Sequence, residues 1–220
     1  MTLGGHSRGR EDVGMYDDVL RAQWGELRRW IEAEGVLEHA DDPSVLAGWT
    51  VRDLMAHTGR SFLTATATTA ADGEEPGTLL AYVGGYGRAA GEIADGTRAL
   101  SVELADDLLG GLDRIVVDGF AAMAGLPDGV VRGPRGLIRR DDFVVTRILE
   151  LVVHGDDLAR SVPSASRSPL LDDAVTIVAR SLADGYEHTT GHRPSSEQGI
   201  GWIRAATGRV VDDDPRLPLL

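Results

Sequence analysis

"FVVTRILELVVHGDDLA", residues 143–159, is apolar on almost every side, the pattern of a helix that packs inside a protein. Glu150 and His154 nevertheless stand in its middle, four residues apart. At about 3.6 residues per turn they project from one face, on a seam shared with Phe143, Arg147 and Asp157. The adjacent seam, Val144, Ile148, Leu151, Gly155 and Leu158, is apolar, so the pair points towards or beside a core. A carboxylate and an imidazole buried there without partners would be costly. The helix therefore needs something for them to bind, and Gly155 leaves room for another helix to approach closely.

Outward from this helix the periodicity is helical almost everywhere. Residues 15–34 carry Tyr16, Val19, Leu20, Trp24, Leu27, Trp30 and Ile31 at helical spacing, and Gly35 is a stop signal. Thr50, with Asp53 three residues on, caps a helix expected over 51–69. A glycine-weakened helix is predicted over 78–96 and a stronger one over 98–124. "GLPDGVVRGPRG" reads as a turn-rich connector with room for a short extended piece. Ser168 and Pro169 read as N-cap and first residue of a helix to about His188, and a shorter one covers 197–206. The fold class expected is all-α, an antiparallel four-helix bundle with additional C-terminal helices. Its parts are a mobile N-terminus (1–12), a helical metal-binding bundle (13–165), and a C-terminal extension (166–220) packed on the bundle rather than forming a domain of its own.

Composition narrows the function. The net charge of −13 argues against a nucleic-acid surface, which needs a basic face. No apolar run is long enough for a membrane span and the first residues lack the apolar stretch of a signal peptide, so a cytoplasmic location is expected. Cysteine is absent, which excludes disulfides and a protein thiol nucleophile; any thiol chemistry must use a thiol from outside. Lysine and asparagine are absent as well, as GC-rich, actinobacterial codon usage would produce.

Paired i,i+4 side chains on a helix hold a transition metal without backbone strain. A third candidate comes from "GWTVRDLMAHTGR", which sets His57 among Leu54, Met55, Thr58 and Phe62. His57, Glu150 and His154 would make a three-ligand divalent site with coordination positions open. Plainer readings stand beside this one. Glu150 and His154 can simply hydrogen-bond each other, His57 can be satisfied by a backbone carbonyl, and Arg147 can form a salt bridge with Glu150. His188 and His192 form a rival pair, but Gly191 and polar neighbours put them at a helix end in water; His6 and His39 fall in expected loops.

"GWTVRDLMAH" followed some ninety residues later by "RILELVVHGDDLA" resembles the mycothiol-dependent maleylpyruvate isomerase family, part of the DinB-like superfamily of four-helix-bundle metalloenzymes. That family has a Trp-led segment ending in a ligand histidine, here Trp49 and His57. Its second segment is Arg-x-x-Glu-x-x-x-His-x-x-Asp-Leu, here Arg147, Glu150, His154, Asp157 and Leu158. The resemblance implies a divalent metal, zinc foremost, on His57, Glu150 and His154, with Asp157 beside them but not a ligand. It implies mycothiol as thiol cosubstrate and a small electrophile as substrate, with Arg147 orienting a substrate carboxylate. The isomerase itself carries a further C-terminal domain. Here only about thirty residues follow the helix near His188, too few for a separate core, though "GWIRAATGRV" leaves Arg209 able to reach the site and serve the thiol. An isomerase or S-transferase is the leading expectation. A metal-dependent hydrolase and a non-catalytic metal-binding protein are the alternatives, since three ligands do not choose the nucleophile.

Overall fold

A computed structural model describes residues 12–220. The expected mobile segment, up to residue 11, and His6 lie outside the described residues. The chain is mostly helical. Its helices are α1 (Asp12–Ala33), α2 (Val51–Thr66), α3 (Leu79–Val83), α4 (Ala90–Glu103), α5 (Leu108–Ala124), α6 (Arg140–Ser161), α7 (Asp172–Thr190) and α8 (Gly199–Ala206). Three short strands, β1 (Thr69–Ala70), β2 (Val130–Gly133) and β3 (Gly136–Arg139), form an antiparallel sheet in that order.

The helices form where their apolar seams and end signals agree. Leu20, Leu27, Trp30 and Ile31 of α1 are fully buried. At the start of α2 the Thr50 hydroxyl accepts the Asp53 N–H, and the Asp53 carboxylate accepts the Thr50 N–H at 3.0 Å, as the sequence indicated. Helix α6 is buried along nearly its whole length, so it is the central strut. Near its start Arg140 reaches Asp17 of α1 at 2.7 Å, and near the end of α1 Arg28 reaches Asp113 of α5 at 3.0 Å. Those pairings make α1 run alongside α6 and against α5. Between α2 and α5 the order of contacts rises together: Leu112 covers Gly59, and Phe62 covers Gly119. Hence α2 and α5 are parallel, whereas an antiparallel arrangement was expected throughout. The long connection through α3 and α4 permits this, because a parallel neighbour needs a crossover.

Four local expectations change. The helix foreseen over 98–124 is broken after Glu103, because Asp107 caps a new helix by accepting the Gly110 N–H at 3.2 Å. The one foreseen over 78–96 stops at Val83 and resumes at Ala90. Helix α7 starts at Asp172 and not at Pro169. The buried Gln23 amide of α1 donates to the Pro169 carbonyl at 2.8 Å and accepts the Leu171 N–H at 2.9 Å, satisfying that segment while it is still extended. It is this segment, not a helix, that closes over Gly155, where Leu170 Cδ2 would lie 3.0 Å from an added Cβ. Finally, the connector after α5 contains the β2–β3 hairpin, whose inward residues Val131 and Ile138 face each other and are fully buried. No described helix is long and apolar enough to cross a membrane.

Candidate metal centre

The antiparallel packing of α2 on α6 brings the first half of α2 beside the middle of α6, and with it His57 beside Glu150 and His154. The three offer donor atoms that all lie within 4.8 Å of one another. Glu150 Oε2 is 3.4 Å from His57 Nε2 and 3.4 Å from His154 Nε2. That is longer than the roughly 2.7–2.9 Å of a charge-assisted hydrogen bond. It matches the spacing of about 3.4 Å between tetrahedral ligands that sit about 2.1 Å from a shared ion. The donor set therefore fits a divalent cation.

Each imidazole is held from behind. His154 Nδ1 donates to Asp157 Oδ2 at 3.1 Å, a bond that leaves Nε2 facing the centre. His57 Nδ1 meets the Thr97 hydroxyl of α4 at 3.3 Å, and the Trp49 ring packs edge-on against the His57 ring at 5.1 Å. The rings of His57 and His154 are themselves perpendicular, with centroids 4.5 Å apart.

The electrostatics suit a cation. Burial pushes His57 below its ordinary value and the positive charge at His154 adds to this, so its imidazole is neutral and its lone pair available. Burial alone would raise Glu150, but the two imidazoles outweigh it and hold the carboxyl well below the usual range. His154 is also opposed by burial, yet Asp157 and Glu150 together push it up. The site thus carries an ionised carboxylate, and an ion that enters competes with protons for its donor atoms.

Beside the triad lies a cavity of about 40 Å³, lined by His57, Glu150, Arg147, Arg60, Tyr86 and Arg135 among others. Arg147, expected to meet either Glu150 or a substrate, is buried with its donors engaged elsewhere. It donates to the Ser61 carbonyl at 2.7 Å, Thr64 Oγ1 at 2.8 Å, Tyr86 Oη at 2.5 Å, and Thr146 Oγ1 at 3.0 and 3.1 Å. Five N–H groups meet five contacts, so a ligand would have to displace one of them. Two cations not singled out from the sequence stand closer to that role. Arg60 lies one turn after His57, its guanidinium lodged against Gly96, where an added Cβ would come within 2.8 Å of Nη2. Arg135 sits at the tip of the β2–β3 hairpin. Both are half-buried, and among the described residues neither guanidinium is paired with a carboxylate. The hairpin that presents Arg135 lies in the connector for which the sequence suggested only a short extended piece.

Arg209 does not line this cavity. It bonds Asp157 Oδ2 at 3.0 Å and the Thr207 carbonyl at 2.8 Å, behind His154. His188 lines a separate groove of about 850 Å³ between α3, α7 and the C-terminal tail, which contains none of the triad. His192 follows Gly191, the left-handed residue that ends α7. His39 pairs with Asp42 at 2.7 Å, away from the centre.

No curated protein and no solved structure gives a significant match to the chain. A family model, described as the mycothiol maleylpyruvate isomerase N-terminal domain, matches residues 20–159. The matched span runs from α1 to the end of the triad-bearing part of α6, well over half of the chain, and the protein belongs to that family.

Proposed function

We propose that the protein is a divalent-metal-dependent enzyme, cytoplasmic in location, that directs an external thiol, mycothiol, at a small carboxylate-bearing electrophile, as an isomerase or S-transferase. The observation that carries this reading is the convergence of His57, Glu150 and His154 at ligand spacing beside a cavity lined by Arg60 and Arg135, neither paired with a carboxylate among the described residues. Family membership supports the thiol, and the packing of α1, α2, α5 and α6 supports a four-helix bundle as the scaffold. Two nitrogens and one carboxylate oxygen with positions left open suit zinc. A divalent ion held there supplies a lowered thiol pKa, making a thiolate available near neutral pH.

The chain's own residues do the rest. Arg60 and Arg135 bind and orient the substrate carboxylate. Arg147 holds Tyr86 and the end of α2 in place as the cavity wall. Thr97 and Asp157 keep the imidazoles turned inward, and Trp49 shields the His57 ring from water. The cavity of about 40 Å³ is smaller than a carboxylated electrophile, so its lining yields as substrate enters.

That same volume favours a second reading, a metal-dependent hydrolase with water as nucleophile. One experiment separates them. Zinc-loaded protein is assayed against conjugated carboxylates and their esters, with and without mycothiol. Turnover that requires the thiol supports the first reading, and equal turnover without it rules that reading out in favour of hydrolysis.

A further inference from the structure

Beyond the triad, the last turns of α6 are tied to the C-terminal segment by two successive acids. Asp156 and Asp157 are both buried. Asp156 receives Arg204 of α8 in a two-point contact, at 2.8 and 2.7 Å. Asp157 receives Arg209 from the turn after α8, with Nη2 at 3.0 Å from Oδ2 and Nε at 3.5 Å from Oδ1. Arg160 approaches the second oxygen of Asp157 at 3.7 Å. Arg209 is itself fixed: Nη1 donates to the Thr207 carbonyl at 2.8 Å, and its backbone N–H donates to the Arg204 carbonyl at 2.7 Å.

The two clamps are not equivalent. Asp156 is bonded to arginines alone, while Asp157 Oδ2 accepts both Arg209 Nη2 and His154 Nδ1. A continuous chain thus runs from the donor nitrogen of His154 through Asp157 to a residue outside the span matched by the family. Without Arg209 the fully buried Asp157 carboxylate would lose a cationic partner and its two-point hold. Its rotamer would then no longer be fixed, nor the orientation and tautomer of the His154 ring that depend on it.

We infer that Arg209 is a positioning residue for the metal centre: the C-terminal segment sets metal affinity by holding Asp157 against His154. This rests on the reading of His57, Glu150 and His154 as ligands. It assigns the segment after α8 a task at the metal centre.

The test uses the full chain and zinc itself, with affinity measured by competition against a fluorescent chelator. Wild-type protein should bind one equivalent and His154→Ala should lose it. Arg209→Gln should bind one equivalent roughly 10–100-fold more weakly, the range seen when groups that orient a ligand are removed. Arg204→Gln loosens the neighbouring clamp without touching His154 and should bind as wild type does. In long-range proton–nitrogen spectra of the zinc-loaded proteins, His154 should carry its proton on Nδ1, with that nitrogen's shift displaced in Arg209→Gln and unchanged in Arg204→Gln. Should Arg209→Gln fail to fold, Arg209→Lys is read in its place; it keeps the carboxylate paired while losing the two-point hold, and a smaller weakening is expected. Wild-type affinity in whichever Arg209 variant folds overturns the inference while leaving the centre intact. So does equal weakening by Arg204→Gln, which would make the effect one of tail docking alone. Failure of the wild type to bind zinc overturns both the inference and the centre.

Discussion

Replacing Arg147 with Met tests whether this residue builds the cavity wall or belongs to the chemistry. Arg147 is 1% exposed, and Met fills much of the same volume without charge. The four partners of its guanidinium do not all become orphans. The Ser61 carbonyl keeps the Thr64 hydroxyl at 2.7 Å, and the Thr146 hydroxyl keeps the Phe143 carbonyl at 2.6 Å. Tyr86 Oη loses its Arg147 bond, which costs roughly 1–3 kcal/mol for a buried polar group. The guanidinium also lies 5.3 Å from the Phe143 ring, a contact worth about another 1 kcal/mol. Relief of the buried charge offsets part of this, so a net loss of about 1–3 kcal/mol is expected. For a chain of this size that lowers Tm by roughly 2–12 °C. Urea unfolding of the metal-free protein measures the loss, and chelator competition measures zinc affinity beside it. Affinity should not fall, because removing a positive charge near Glu150 favours a cation. A stability loss below about 1 kcal/mol, or a large drop in zinc affinity, would refute the argument; the second result would mean that Arg147 supports Glu150 directly.

Other expectations follow from the same structure. Gly96→Ala in α4 should stabilise the helix by up to about 1 kcal/mol, yet it pushes the Arg60 guanidinium aside; KM for a carboxylated electrophile should rise while Tm does not fall. Asp53 is opposed by burial, but the Thr50 N–H and the Ser101 and Thr50 hydroxyls hold its carboxyl below the usual range. Its stabilisation is therefore present above the unfolded value and lost as pH falls through the lower folded one. Asp53→Asn should cost about 0.5–2 kcal/mol at pH 7 and progressively less below about pH 4, as thermal melts across pH will show. Zinc at about 100 times its Kd should add about 2.7 kcal/mol, or roughly 5–11 °C in Tm; Glu150→Gln should remove that increment, and a melt that still responds to zinc would place the ion elsewhere.

How much of this the sequence revealed depends on the distance over which each signal acts. The capping box at Thr50 and Asp53 is local chemistry and was legible, as was the Glu150–His154 pair, fixed by one helical turn. His57 was legible because an imidazole on an apolar face calls for a partner, although nothing in its neighbours names one. The break at Asp107 had a cap signal, but the leucines on either side continue a helical period across it. The hairpin was obscured because its strands are four residues long, too short for the inward Val131 and Ile138 to stand out as alternation. The late start of α7 could not be read locally at all. It depends on Gln23, more than a hundred residues earlier, occupying the backbone groups that a helix would otherwise use. Arg60 and Arg135 were missed for a related reason: an arginine's lack of a partner is visible only once every neighbour is in place.

The division of the triad between α2 and α6 has a consequence for how the chain folds. Glu150 and His154 are neighbours in any segment where α6 is helical, whereas His57 joins them only after the intervening α3, α4, α5 and hairpin have allowed α2 to dock. An unfolded chain thus presents at most a weak two-donor pair, and little of the ion's binding energy is spent on that state. Closing so long a loop is slow relative to forming helices. During refolding, helical signal should therefore return first, and high-affinity zinc capture should follow as a separate, later phase. The ion then serves as a clock for the docking of two helices, timing a step that circular dichroism does not see.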